Sequence, residues 1–412
     1  MFSIIDSTIE NSAKILESYE NLLGHIAQEA KGLRQQLEDD GRIVPIPALT
    51  DVEAGAVSLC AIDGASASEK MQSGDLLVAG SSLHDGGRSK RIYTSGDPET
   101  PALGYSDIRI HSSKNEKVLS SMRAFTEISV LGATTKHNIA IIDGAYLGNF
   151  LTVLYNLQES YETAENIIKF LQSDSDGYFV QGLRDIFNLS LKDNSHKEVV
   201  ALAKSDSSRD LVKRLVGDDA KSFMSDKILA EYLLLPGEML APYKVNANAG
   251  RVQLTEATAD AYGWNGFRWK VREVLTPEQM GAVESFFSLN EKNEDYGLRS
   301  LFEYLFAENN YHYTYFKPAK FQKGSHALRM EFTTKRSSKK TPEDILAKGI
   351  ELVSHINADV LDPGIKEPFS QFMVDKIVKA PVSSSMAFLK NKLSGMVSSN
   401  EHLLSAISSY RT

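Results

Sequence analysis

The chain reads as an α/β (α+β) protein with a mixed β-sheet core and flanking helices, and three observations predict this class. Strand-like and helix-like segments alternate along most of its 412 residues. Two near-continuous apolar runs, SLCAID at 58–63 and NIAIID at 138–143, have the composition of strands covered on both faces of a sheet. Helix starts are written at Thr276-Pro277-Glu278-Gln279 and Thr341-Pro342-Glu343-Asp344, where a capping hydroxyl precedes a proline and first-turn acids.

In chain order, residues 1–39 space Ile9, Ala13, Leu16, Leu22 and Ile26 between charges, which predicts one or two amphipathic helices. Residues 1–45 are therefore set apart as an N-terminal helical segment. The turn-rich GRIVPIPALTD leads into the first strong strand, VSLCAID. GDLLVAGSSLHDG and KRIYTSG follow as a second and a third strand with turn residues between them, a hairpin or meander signal. Residues 114–135 predict a helix on which Arg123 and Glu127 share a face at i, i+4. HNIAIIDG is the next strand and NFLTVLYNLQESYETAENIIKFL the next helix. HKEVVALAKS reads as a strand ending in Lys204, HALRMEFTT as another, and KRSSKK as a basic loop. The main domain is placed at 55–395 with insertions, and 396–412 as a C-terminal tail.

Composition narrows the function classes. Hydrophobic residues make up 42% of the chain, enough for a sizeable core. The single cysteine, Cys60, lies in an apolar run and excludes an intrachain disulfide, so a reducing, cytoplasmic setting is expected. The N-terminus lacks a basic stretch followed by an apolar one, and no apolar run is long enough to span a bilayer, so no membrane role is expected. A net charge of −9 argues against a stand-alone, tight nucleic-acid binder but leaves room for a local basic groove. GSSLHDGGRSKR lacks the spacing of a phosphate-binding loop, and no Cys/His zinc spacing exists.

Chemistry concentrates in a repeated tetrapeptide. Ile-Asp-Gly-Ala occurs at 62–65 and again at 142–145. An aspartate closing an apolar strand is costly unless it lies at the strand's end, and a following glycine lets the chain turn away with no Cβ to crowd whatever sits beside the carboxylate. Two such ends side by side would bring Asp63 and Asp143 to a shared cation. Rigidly held carboxylates suit Mg²⁺ or Mn²⁺ in phosphodiester hydrolysis. Glu127 is the candidate third acid, and Arg123 one turn before it a candidate phosphate contact. Asp-Gly pairs are also common turns, and Arg123 with Glu127 also reads as a surface ion pair.

These residues resemble a known family. AIDGASASEKMQSGDLLVAGSS, MRAFTE, IAIIDGAYLGNFL, VVALAKSDSSRDLV and DKILAEYLLLPGE, in this order, resemble the NurA nucleases over roughly 55–380. The resemblance implies an RNase H-like core, a homodimer and a Mn²⁺- or Mg²⁺-dependent nuclease. It implies cutting of single-stranded DNA and 5′ to 3′ resection of DNA ends beside the hexameric HerA ATPase, in DNA repair or antiviral defence. By motif, the family's first aspartate falls on Asp63, its helical glutamate on Glu127 and its second aspartate on Asp143. A strand reading Arg-x-Glu is similar to Arg329 and Glu331. Where the family's C-terminal motif carries a histidine, EPFSQFMVDKIVK offers Asp375, followed by Lys376. Asp375 then stands either as a fourth ligand or as a helix-surface residue. Lys204 and Lys376 are candidate DNA contacts, whereas Lys335, Arg336, Lys339 and Lys340 read first as a solvated loop. Two alternatives remain: a catalytically inactive adaptor subunit of the ATPase complex, and an RNA-directed nuclease of the same fold.

Overall fold

The structure, a computed structural model, describes residues 2–85, 103–134, 137–146, 178–186, 197–203, 208–217, 225–245, 311–321, 326–334 and 340–396. The expected strand KRIYTSG, the helix at 149–171, Lys204, the Thr276 helix start, Lys335, Arg336, Lys339 and all but the first residue of the 396–412 tail lie outside the described residues.

The helices are α1 (Phe2–Asp39), α2 (Asp51–Ala56), α3 (Asn115–Ala133), α4 (Tyr178–Ile186), α5 (Asp210–Leu215), α6 (Asp226–Leu233), α7 (Pro342–Ala358) and α8 (Phe369–Met396). The strands are β1 (Ile43–Pro45), β2 (Leu59–Met71), β3 (Gly74–Asp85), β4 (Leu103–Arg109), β5 (Ile139–Asp143), β6 (Glu198–Ala203), β7 (Glu238–Leu240), β8 (Tyr243–Lys244), β9 (Tyr311–Lys317) and β10 (Leu328–Thr333). The N-terminal segment is one continuous helix to Asp39, and its last residues form β1 instead, paired with β7.

The described strands join one sheet in the order β1-β7-β9-β10-β6-β5-β2-β3-β4, with β8 added beside β9. Within it, β2, β3 and β4 form an antiparallel meander, and β5 and β6 run parallel to β2. With α3 joining the meander to β5, these five strands make the RNase H-like mixed core. β10 and β9 extend the sheet by antiparallel pairing.

The apolar runs become the middle of the sheet because both of their faces are covered. Ala61, Ile139, Ile141, Val200 and Leu202 pack with Leu352, Val353 and Ile356 of α7 and Val374 of α8. Further along the meander, Ala65, Leu76 and Val78 pack with Val378, Val382 and Met386 of α8. Opposite them α3 is anchored by polar groups. Asn115 Nδ2 donates to Asp75 Oδ2 at 2.6 Å, and the Ser81 and Thr126 hydroxyls meet at 2.6 Å in a buried contact. At the far end, α1 packs Ile26, Ala30 and Leu37 with Leu229 and Leu233 of α6 and Tyr313 and Tyr315 of β9. The α7 start is as expected: Thr341 and Asp344 form a reciprocal capping box, with Pro342 at the first turn.

At the start of β5, half-buried His137 is hydrogen-bonded to Asp85 through Nε2. Burial would lower the pKa of this imidazole, but the bond to Asp85 and the Asp85 charge push it up to about 10. A raised histidine contributes stability that is complete below its ordinary value of 6.5 and lost as pH rises through about 10. Thermal melts between about pH 8 and pH 11 are therefore expected to fall more steeply for the wild type than for His137→Gln. Parallel pH profiles would contradict this.

Candidate active site

The parallel pairing of β2 and β5 sets the site's geometry. Ile62 lies beside Ile142. Asp63 and Asp143, each the next residue, therefore stand at one level on adjacent strands. Asp143 is the last residue of β5 and pairs with Leu202 of β6. The glycine after it has φ 91°, a left-handed conformation natural to glycine, and its N–H donates to Leu202 O at 3.1 Å.

The expectation that both aspartates close their strands holds for Asp143 only. β2 runs on to Met71, and Asp63 stays in register opposite Ser82 of β3. The reason lies in Gly64, which serves as a gap rather than a turn. A Cβ at this position would lie 2.8 Å from Cγ of both Glu127 and Arg123. The missing side chain lets α3 bring Glu127 against β2. Gly64→Ala is expected to lose roughly 1–3 kcal/mol, as overpacked positions do, and to displace Glu127. Urea denaturation that shows no change would contradict the close approach.

Asp63 is buried at 7% exposure, with its Oδ1 accepting from the Gly64 N–H at 2.8 Å. Glu127, also 7% exposed, lies 3.4 Å from Arg123 Nε through its Oε1. Its carboxyl is pushed up to about 8, first by burial; Arg123 opposes this, while the charges of Asp63 and Asp143 add to it. The three acids thus sense one another, although among the described residues no group of three or more His, Cys, Asp or Glu side chains is gathered tightly enough to hold an ion as it stands. Their donor chemistry fits a hard divalent cation: all oxygen and mutually repelling.

The C-terminal motif is the opening of α8. Asp359 caps it, with Oδ2 accepting from Ser370 N at 2.9 Å and from Ser370 Oγ at 2.6 Å. The side chain that reaches the site is Gln371, which the sequence reading passed over. It is fully buried, and its Nε2 donates to Asp143 Oδ1 at 2.8 Å. A signal existed: Gln371, Val374, Val378 and Val382 form one buried helical stripe, and a polar residue in such a stripe asks for a partner. Asp375 stands one turn beyond Gln371, partly exposed, with its Oδ1 2.6 Å from Lys379 Nζ. Lys376 is largely exposed and lies over the Phe372 ring.

Arg329 and Glu331 form an internal pair. Glu331, 2% exposed, bridges Arg329 Nη2 at 2.8 Å, the Tyr146 N–H at 3.1 Å and the Tyr311 hydroxyl. His312 is buried against Phe332, and His326 bonds Glu231, both structural positions.

The chain matches no protein-family model and no curated protein. Among solved structures it is similar to the NurA nuclease from Sulfolobus solfataricus, with a TM-score of 0.55 at 14% identity over 96% of this chain and 98% of that one. The chain has a NurA-like fold. Two further NurA structures are similar: NurA with manganese, with a TM-score of 0.47 at 11% identity over 94% and 98% of the two chains, and NurA bound to dAMP and manganese, at 0.41 and 11% over 90% and 92%. No described helix is long and apolar enough to cross a membrane.

Proposed function

We propose that this protein is a metal-dependent DNA nuclease that cuts single strands and resects DNA ends 5′ to 3′. One observation carries the reading. Asp63 and Asp143 stand level on adjacent parallel strands, and Glu127 approaches from α3 closely enough to sense both charges. The NurA-like fold supports it.

In this reading Asp63, Asp143 and Glu127 hold Mn²⁺ or Mg²⁺. When bound, such an ion supplies Lewis acidity toward the phosphodiester and lowers the pKa of water. The chain's own contribution is placement. Asp63 is fixed by β2 and the Gly64 N–H, and Asp143 by β5 and Gln371. Arg123, with its side chain 42% exposed, is placed to trade Glu127 for a phosphate oxygen. Lys376 and Lys204 guide the DNA backbone. The net charge of −9 fits a division of labour in which a HerA-type hexameric ATPase feeds DNA to a cytoplasmic homodimer, in DNA repair or antiviral defence.

Asp375 engaged by Lys379 and acids not yet gathered favour one other reading, an inactive adaptor of the ATPase complex. Metal-dependent stability separates the two. A ligand at about 100 times its Kd stabilises the native state by about 2.7 kcal/mol. Mn²⁺ should therefore raise the melting temperature over that in EDTA. An unchanged melt favours the adaptor. Co-elution of this protein with a HerA-type ATPase tests the partnership, and separate elution counts against it.

A further inference from the structure

Gln371 combines two facts that packing alone does not explain. It is fully buried at the foot of α8, and its Oε1 is a buried acceptor with no hydrogen-bond partner among the described residues. Its Nε2, by contrast, faces two acceptors, Asp143 Oδ1 at 2.8 Å and Leu202 O at 3.4 Å.

These two acceptors fix the orientation of the amide. Turning it over would set an oxygen against a carboxylate and a carbonyl, so the orphaned atom is the oxygen. An amide's nitrogen and oxygen are held rigidly, which places Oε1 within about 5 Å of the Asp143 carboxylate. A buried acceptor without a donor is destabilising, and it persists where something absent from the free chain completes it. The neighbouring carboxylates indicate what that is. They repel one another and raise Glu127, and an amide oxygen is a good donor for a hard cation.

We propose that Gln371 is the fourth oxygen donor of the divalent-cation site, with Nε2 orienting Asp143 and Oε1 facing the ion. This inference rests on the nuclease reading of the three acids. It gives the place otherwise expected of Asp375 to a residue one turn earlier, since Asp375 is engaged by Lys379.

The test is calorimetric titration of the full chain with MnCl₂ alone, no DNA present, paired with thermal melts in EDTA. Gln371→Met keeps length and apolar packing while removing both polar atoms. It is expected to weaken Mn²⁺ binding by roughly 10–100-fold, the range seen when groups that orient metal ligands are lost. In EDTA its melting temperature should stay close to that of the wild type, because loss of the orphaned acceptor offsets loss of the Nε2 donor to Asp143. A residue that only packs would leave Mn²⁺ affinity unchanged.

Gln371→Glu supplies a second reading and covers a Met variant that fails to fold. It keeps an oxygen for the ion but sets a charge against Asp143, so it should melt lower in EDTA and gain more from Mn²⁺ than the wild type. Mn²⁺ affinity of the Met variant within about twofold of wild type, or a Glu variant with no larger Mn²⁺ gain, overturns the proposal for Gln371 alone. A wild type that binds no Mn²⁺ overturns the nuclease reading itself, so the two failures are distinguishable.

Discussion

Asp63→Asn is expected to abolish metal-dependent DNA cutting while leaving the protein folded. Asparagine keeps the size of the side chain and can still accept from the Gly64 N–H, which bonds Oδ1 at 2.8 Å, so β2 has no reason to rearrange. What is lost is one negative charge of the three that would hold a cation. Loss of groups that merely orient ligands costs about 10–100-fold, so loss of a ligand should exceed a hundredfold. The melting temperature in EDTA should stay level or rise, because the charge removed is one that repels Glu127. Initial rates of cleavage beside melts in EDTA check both halves. Wild-type cutting by the variant would remove Asp63 from the site.

Glu331→Ala has the largest expected effect on stability. Glu331 is 2% exposed and is the acceptor for Arg329 at 2.8 Å, for the Tyr146 N–H at 3.1 Å and for the Tyr311 hydroxyl. Truncation takes this carboxylate away from a nearly buried guanidinium and from two further donors. Breaking one side of a buried pair costs about 3–5 kcal/mol. Replacing both, as Arg329→Met with Glu331→Leu, should cost far less, because no charge is stranded. Tyr146 follows Asp143 by three residues, so the single variant should also loosen the turn that carries Asp143 and weaken Mn²⁺ binding. Urea denaturation of the single and double variants measures this directly. A single variant as stable as the double would contradict the network.

The strands that carry the acids were legible because they are buried on both faces. Residues 139–142 of β5 and 60–62 of β2 have no solvent side, so the sequence is continuously apolar until the carboxylate interrupts it. α7 was legible from local chemistry, since its capping box is contained in four consecutive residues. β9 was not read as a strand although Tyr311, Tyr313 and Tyr315 alternate. His312, Thr314 and Lys317 are buried beside them, and that polar character hid the pattern. At Gly64 the expected absence of a crowding Cβ holds and the expected turn does not, for a physical reason. A glycine that opens space for a neighbouring helix and one that turns the chain look alike until the helix is placed, and Gly144 is the one with a positive φ. Gln371 escaped because its partner lies 228 residues away, across a sheet whose antiparallel half no local pattern specifies.

The measurement that tests the central claim most directly is cleavage of end-labelled single-stranded and linear double-stranded DNA by the purified wild-type protein, in Mn²⁺, in Mg²⁺ and in EDTA, with RNA of the same sequence alongside. The account predicts metal-dependent cutting of DNA, silence in EDTA, and 5′ to 3′ loss of label from double-stranded ends. Cutting that survives EDTA, or none with either metal even after a HerA-type ATPase is added, would contradict it.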